Sequence, residues 1–132
     1  MKAKNVKDYM TPAKFLITFQ PDTNIYYAME MLINRAISGA PVIAENGDLV
    51  GILSEKDCLK VMMQIGMHDM PPGSVDEYMS KEVKTIDPNK SILDAVEEFQ
   101  KSVFRRFPVT EGKQLVGLLS RRDMLRAIKD MH

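Results

Sequence analysis

Hydrophobic residues recur every three or four positions in two stretches of this chain, which is the spacing of a helix with one buried face. The first stretch consists of Ile25, Ala28, Met29, Leu32 and Ala36. The second consists of Ile92, Ala95, Val96, Phe99 and Val103. Ser91 and Asp94 have the spacing of a capping box, which satisfies free N–H groups at a helix start. The pattern therefore predicts two amphipathic helices.

Two short apolar runs follow the first predicted helix and predict a β-hairpin. The runs Pro41–Ala44 and Leu49–Leu53 flank residues 45–48, Glu-Asn-Gly-Asp. Asn-Gly between apolar runs is typical of a tight hairpin turn, because both residues tolerate positive φ. Residues 111–114, Glu-Gly-Lys-Gln, occupy the same place after the second helix.

Each half is completed by a strand at its start and a helix at its end. Short strands are predicted near Phe15–Thr18 and Val83–Ile86, and final helices near Glu55–Ile65 and Arg121–Met131. The segment from Gly66 to Ser74 is rich in proline and glycine and is predicted to be a linker. The order β-α-β-β-α therefore occurs twice.

The two halves also match each other residue by residue, which indicates a tandem repeat. The matches include Tyr9 with Tyr78, Met10 with Met79, Pro41-Val42 with Pro108-Val109, Leu49-Val50-Gly51 with Leu115-Val116-Gly117, Ser54 with Ser120, and Asp57 with Asp123. We expect a single α+β module over residues 1–132. Repeat 1 covers about 6–66, the linker 67–74 and repeat 2 about 75–131.

One copy of about 60 residues is marginal for an independent core. We therefore expect the two copies to bury their sheets against each other around a pseudo-twofold axis. The clefts between the copies would then be a usual place for a small-molecule site. Gly51 and Gly117 are predicted to permit close backbone packing rather than to mark a phosphate-binding loop.

Composition and charge narrow the class of protein. The 132 residues carry 18 Lys and Arg against 18 Asp and Glu, so net charge gives no case for nucleic acid or an anionic membrane as the main partner. No apolar stretch approaches the roughly 20 residues of a membrane helix, and the first residues lack the apolar core of a signal peptide. A single cysteine excludes an internal disulfide. These features favour a soluble, cytoplasmic protein.

Four short motifs occur in the same order in both halves. They are Met10-Thr11 and Met79-Ser80, Pro41-Val42 and Pro108-Val109, the two Leu-Val-Gly strands, and Ser-x-x-Asp at Ser54–Asp57 and Ser120–Asp123. With these motifs the chain resembles the CBS domain pair, or Bateman module, over about residues 6–130. The resemblance implies regulation rather than catalysis, adenosine-type ligands such as AMP, ADP, ATP or S-adenosylmethionine, and a homodimer.

The resemblance also implies which residues bind the ligand. The aspartate of Ser-x-x-Asp would hold the ribose hydroxyls, and a charge-assisted hydrogen bond of this kind contributes on the order of 1.5–3 kcal/mol. One site would combine Ser120 and Asp123 with Thr11, Thr18, Ile37, Ser38 and Pro41. The other would combine Ser54 and Asp57 with Ser80, Lys84, Thr85, Phe104, Arg105 and Pro108.

The arginines suggest where phosphate would bind. Arg105-Arg106 and Arg121-Arg122 lie in the second repeat, and a planar, permanently charged guanidinium suits phosphate. Repeat 1 has Ser38, Gly39, Glu55 and Lys56 at the corresponding positions. The two sites should therefore differ in charge, and one could bind nucleotide while the other stays empty.

Each motif also has a purely structural interpretation. Ser-x-x-Asp is itself a helix capping box, and the arginines could form a solvated face paired with neighbours such as Glu97 and Glu98. Cys58 aligns with Met124 and is expected to pack in the core. His68 and His132 have no partner at metal-ligand spacing, so no metal site is predicted. No catalytic constellation and no catalytic cofactor are predicted either.

An adenosine-nucleotide sensor is the leading hypothesis, and two alternatives stay open. One is a structural or dimerisation module without nucleotide. The other is a module for S-adenosylmethionine, NAD or single-stranded nucleic acid. A module without its own output domain would pass its signal to a separate effector protein or to its own oligomer.

Overall fold

A computed structural model of the chain describes residues 4–68 and 71–131. The chain forms two compact units that do not coincide with the two sequence repeats. The middle unit is Ile17–Val83. The terminal unit combines the chain up to Leu16 with the chain from Lys84 onward. The opening segments of the repeats, residues 6–11 and 75–80, therefore each belong to the unit that holds the rest of the other repeat.

The elements include the predicted helices and hairpins in the expected order, together with a first helix and a first strand at positions that were not predicted. They are α1 (Val6–Tyr9), β1 (Thr11–Pro12), α2 (Ile25–Asn34), β2 (Gly39–Ile43), β3 (Leu49–Ser54), α3 (Glu55–His68), α4 (Ile92–Gln100), β4 (Arg106–Glu111), β5 (Gln114–Ser120) and α5 (Arg121–Asp130). Two short 3₁₀ helices, Ala13–Phe15 and Val75–Glu77, occur in addition. Helices and antiparallel strands together make the α+β class predicted from the pattern.

The middle unit is built on the antiparallel hairpin β2–β3, in which Val42 lies opposite Gly51. Gly47 has a φ of 93° and allows the turn, as its Asn-Gly sequence predicts. Helices α2 and α3 pack beside each other. The buried core of this unit consists of Phe19, Ile25, Ala28, Leu32, Ala40, Val42, Leu53, Cys58, Val61, Val75 and Tyr78.

The terminal unit has a three-stranded antiparallel sheet in the order β1-β5-β4. Helices α1 and α4 both contact α5. Phe99 of α4 meets Phe107 of β4 with ring centroids 4.2 Å apart. The buried core of this unit consists of Val6, Ile86, Ala95, Phe99, Phe107, Val109, Leu119 and Met124.

The glycines of the two Leu-Val-Gly strands lie against the opening segments. A Cβ at Gly51 would stand 2.8 Å from the carbonyl oxygen of Ser80. A Cβ at Gly117 would stand 2.8 Å from the carbonyl oxygen of Thr11 and 2.5 Å from Sδ of Met10. Real Cβ atoms do not approach other atoms so closely, so the prediction of close backbone packing is confirmed.

The predicted strands Phe15–Thr18 and Val83–Ile86 are wrong. Phe19 and Ile86 each form a single parallel bridge, with Val42 and Val109 respectively. Phe19 donates to the Pro41 carbonyl at 3.0 Å and accepts from Ile43 N–H at 2.8 Å, so one residue carries all the pairing. A proline follows two residues later in both cases and cannot donate to a further ladder bond.

The predicted helices are confirmed, with different ends. Ser91 caps α4 as predicted, with its hydroxyl accepting from Asp94 N–H at 3.1 Å. Ala36 was predicted to lie in the helix, but α2 ends at Asn34 and Ala36 has a φ of 52°. Val103 likewise lies beyond α4 and is 89% exposed. Helix α3 runs three residues past its predicted end, to His68, and α5 ends at Asp130.

None of the helices in the described part of the chain is long and apolar enough to cross a membrane. Among the side chains that the structure describes, which do not include that of His68, no group of three His, Cys, Asp or Glu could hold a metal ion. His132 lies outside the described residues.

Candidate functional site

In the middle unit, Ser54 and Asp57 form a reciprocal capping box at the start of α3. The Ser54 N–H donates to Asp57 Oδ2 at 3.0 Å, and the Asp57 N–H donates to Ser54 Oγ at 3.1 Å. Strand β3 ends at Ser54 and α3 begins at Glu55. The helix follows the strand without a loop, and the Asp57 carboxylate at its start is buried, with 5% of the residue exposed.

The terminal unit repeats this arrangement at the start of α5. The Ser120 N–H donates to Asp123 Oδ2 at 2.8 Å, and the Asp123 N–H donates to Ser120 Oγ at 3.2 Å. Asp123 is 4% exposed. The structural interpretation of Ser-x-x-Asp is therefore correct in both repeats. Each carboxylate is fixed by a backbone N–H through one oxygen, and its other oxygen points to a different partner.

In both units a cationic side chain one helical turn after the aspartate pairs with its Oδ1. Lys60 Nζ lies 3.2 Å from Asp57 Oδ1, and Arg126 contacts Asp123 Oδ1. Both cationic side chains are more than half exposed, at 59% and 56%. Sequence reasoning missed these two residues, although their i, i+3 spacing from the aspartates was a usable signal.

Ser80 also approaches the carboxylate in the middle unit. Its hydroxyl lies 3.4 and 3.5 Å from the two carboxylate oxygens of Asp57, which is long for a hydroxyl donor and therefore weak. The structure thus brings together Ser54, Asp57 and Ser80, three of the residues assigned to the second site. In the terminal unit, Thr11 pairs with Leu118 of β5 and shares its unit with Ser120 and Asp123.

The remaining residues predicted for the first site belong to the middle unit. Thr18, Ile37 and Ser38 are partly exposed, and Pro41 is buried on β2 opposite Ile52. The carbonyl of Ser38 accepts from Glu55 N–H at 2.9 Å, so Ser38 lies next to the start of α3.

Two arginine pairs that are distant in sequence meet in the terminal unit. Arg106 opens β4 opposite Ser120, and the Arg121 N–H donates to the Arg105 carbonyl at 3.3 Å. Arg105, Arg121 and Arg122 are exposed. The start of β4 and the start of α5 therefore form one cationic corner of this unit, although the resemblance had assigned Arg105 and Ser120 to different sites.

Lys84 forms an ion pair with Glu98, a residue that was a candidate partner of the arginines. Lys84 Nζ lies 2.7 Å from Glu98 Oε2, and Lys90 Nζ lies 3.3 Å from Glu98 Oε1. Hydrogen bonds from Lys84 and then Lys90 hold the pKa of Glu98 below its usual value. Thr85 follows Lys84 and is exposed.

The apolar candidates of the terminal unit differ in accessibility. Phe104 is 48% exposed and makes an edge contact with Phe107, at 6.5 Å between ring centroids. Pro108 is fully buried on β4. Phe104 is therefore half accessible to solvent, whereas Pro108 packs inside the unit.

Cys58 is buried beside Asp57, and burial raises the pKa of its thiol, with the nearby carboxylate adding to the effect. A thiol with a raised pKa is a poor nucleophile at neutral pH. The prediction that Cys58 packs in the core is confirmed.

Comparisons with known proteins find related sequences and a related fold. The family model of the CBS domain matches residues 6–64 and 75–130. The CBS domain-containing protein YhcV of Bacillus subtilis is 30% identical over 120 residues, which is 91% of this chain and 82% of that protein. The A-adding tRNA nucleotidyltransferase of Aquifex aeolicus is 30% identical over 125 residues, or 95% of this chain. The chain spans 14% of the length of that enzyme.

A solved structure shows the same fold over nearly the full length. The crystal structure of CBSX2 in complex with AMP superposes with a TM-score of 0.86 at 29% identity, covering 96% of this chain and 97% of that one. CBSX2 is a CBS-pair protein of Arabidopsis thaliana. Two family matches, together with two capped Ser-x-x-Asp aspartates in a matching fold, show that this chain belongs to the CBS domain family.

Proposed function

We propose that this CBS domain pair is a non-catalytic regulatory module that binds an adenosine nucleotide, AMP, ADP or ATP. The main support is the pair of buried, capped carboxylates at Asp57 and Asp123, each fixed through one oxygen and placed directly after a strand. The AMP complex of CBSX2, at 29% identity, adds the ligand class.

The proposed chemistry follows from the groups at hand. A carboxylate has about four lone-pair positions, so one that accepts a backbone N–H can still accept from vicinal ribose hydroxyls. Ile37 and Phe104, which are not buried, would supply apolar contacts to adenine. Phosphate would be bound by cations and hydroxyls among the residues that the resemblance implies, namely Thr11, Thr18, Ser38, Ser80, Lys84, Thr85, Arg105, Arg106, Arg121 and Arg122.

Calorimetric titration with AMP, ADP, ATP, S-adenosylmethionine and NAD, with and without Mg²⁺, tests this proposal. We expect an adenosine nucleotide to bind, and Asp123→Asn or Asp57→Asn to weaken it by about ten- to a hundredfold. Asparagine keeps an acceptor for the serine N–H, so the cap should survive and the variant should unfold near the wild-type temperature. Wild-type affinity in both variants would contradict the proposed ribose contact.

A second copy of this chain is the proposed partner. Exposed apolar side chains lie on the helices of both units at corresponding repeat positions. They are Tyr26, Leu59 and Met62 on α2 and α3, and Leu93, Leu125 and Ile128 on α4 and α5. A surface that occurs twice in one chain suits a partner with the same duplication, as in an isologous homodimer. Through this dimer, or a separate effector protein, ligand binding would be passed on.

A further inference from the structure

Both buried carboxylates have a counter-ion within the chain. Asp123 Oδ1 is paired with Arg126, and Asp57 Oδ1 with Lys60. The same pairing occurs in both units, with lysine in one and arginine in the other, so it is a shared feature of the two repeats. Oδ2 of each aspartate is engaged by the serine N–H.

A ligand that binds the carboxylate must therefore compete with this cation. The serine N–H and the cation each leave one lone-pair position on the oxygen they contact, so vicinal ribose hydroxyls that donate to both oxygens would meet the cation at Oδ1. A neutral nucleoside would crowd the cation and offer it no other anion. A nucleotide brings a phosphate, which can replace the carboxylate as the partner of the cation.

Arg126 is well suited to such an exchange. Its side chain is 56% exposed, so it can leave the carboxylate without disturbing the core. A guanidinium has five N–H donors in a fixed fork and can contact a phosphate while still touching the carboxylate. In α5 the side chain of Arg126 points back toward the helix start, where the cationic corner of the terminal unit also lies.

We propose that Arg126 is a specificity-determining residue, an exchangeable counter-ion that moves from Asp123 to the ligand phosphate and so makes the site select phosphorylated adenosine over adenosine itself. This inference rests on the proposed nucleotide site at Asp123. Lys60 has the same relation to Asp57 in the middle unit, where Ser80 adds a further contact.

Titration of AMP and of adenosine into the same protein preparations tests this inference. We expect Arg126→Gln to weaken AMP by about ten- to a hundredfold, the effect of one charge-assisted hydrogen bond. Its affinity for adenosine should be unchanged or higher, because the competing cation is gone. Arg126→Lys should keep most of the preference for AMP, since it keeps the charge.

Lys129→Gln is the matched control. Lys129 is an exposed cation of the same helix that has no ion pair within the described residues, so its removal should leave both affinities unchanged. An equal loss of AMP and adenosine in Arg126→Gln would show that Arg126 merely supports the fold, and no loss of either would remove it from the site. Both results overturn the inference.

The proposed function fails in a different way. If the wild-type protein binds neither AMP nor adenosine, the nucleotide site itself is refuted and the role of Arg126 with it. If the wild-type protein binds both ligands with equal affinity, the nucleotide site stands and the exchange of Arg126 alone is refuted.

Discussion

At the scale of single residues, the glycines of the Leu-Val-Gly strands are required by space and not by conformation. Gly51 and Gly117 have nearly the same surroundings, a methionine sulfur and a backbone carbonyl of an opening segment. The pairing of Leu-Val-Gly with Met-Thr or Met-Ser in the sequence thus reflects one physical contact made twice.

Gly117→Ala should destabilise the protein by about 1–3 kcal/mol, because the new Cβ would collide with the Thr11 carbonyl and force β1 away from β5. Denaturant unfolding measures this free energy.

Gly66→Ala is the matched control with the opposite sign. Gly66 lies in helix α3, and a Cβ there would meet nothing within 4 Å. Alanine should therefore stabilise the helix by about 0.5–1 kcal/mol. Equal effects of the two substitutions would show that contact with the opening segment is not what Gly117 provides.

Some contacts of the candidate site could be predicted from the sequence and others could not. Ser54, Asp57, Ser120 and Asp123 could be found because a capping box leaves a local four-residue signature. The meeting of Arg105 with Arg121 could not be found that way, because it depends on the pairing of β4 with β5 across a turn. The counter-ion role of Arg126 had a local spacing, but i, i+3 pairs of opposite charge are common on helix surfaces.

At the scale of elements, α1 shows how a very short helix is held in place. It has four residues, and such a helix is not stable alone. Val6 is buried in the core of the terminal unit, and the Tyr9 hydroxyl donates to Asp130 Oδ2 at 3.0 Å at the end of α5. The pattern of apolar residues could not predict α1, since one turn contains too few positions for a period.

The Tyr9 contact should make part of the stability sensitive to alkaline pH. Burial, and next the hydrogen bond to Asp130, raise the pKa of Tyr9 above its usual 10.0. The folded state then holds the proton more tightly than the unfolded state. The resulting stabilisation is present below pH 10 and is lost as the pH rises through the raised pKa.

Unfolding curves across pH 8 to 11 check this expectation. Tyr9→Phe should be less stable than wild type at pH 8 and should lose less stability above pH 10. Asp130→Asn keeps an acceptor but removes the negative charge, so its alkaline loss should be intermediate. Parallel pH profiles for wild type and Tyr9→Phe would contradict the assignment.

The order of helices α2 and α4 and of the two hairpins was predictable, because these elements have strong periods and turn signals. The predicted first strands were wrong because a segment with a single bridging residue has the same apolar sequence pattern as a strand. Phe15, which suggested a strand, is 70% exposed in a 3₁₀ helix, whereas Phe19 is buried in the core and Ile17 packs against that core.

At the scale of the whole molecule, the exposed apolar helix faces predict the oligomeric state. Leu125 is 65% exposed on α5, and Leu59, at the corresponding position, is 72% exposed on α3. We expect a homodimer in solution and a monomer for Leu125→Asp, because a charge in the middle of an apolar interface is costly to bury. Light scattering coupled to gel filtration measures the mass.

Val103→Asp is the control for that substitution. Val103 is 89% exposed and lies outside the helices, so the same change of charge there should leave the mass unaltered. A monomeric wild-type protein, or a dimeric Leu125→Asp, would contradict the proposed partner.

The exchange of opening segments between units has a consequence for what a single repeat can do. Residues 75–80 complete the middle unit and residues 6–11 the terminal unit, so neither half of the chain contains all parts of either unit. A polypeptide ending at Gly66 would leave a bare strand edge at Ile52 and an uncovered Gly51. Fragments 1–66 and 74–132, mixed together, should regain structure by complementation that neither shows alone. A single repeat would therefore need the opening segment of a second copy to complete a unit of this kind.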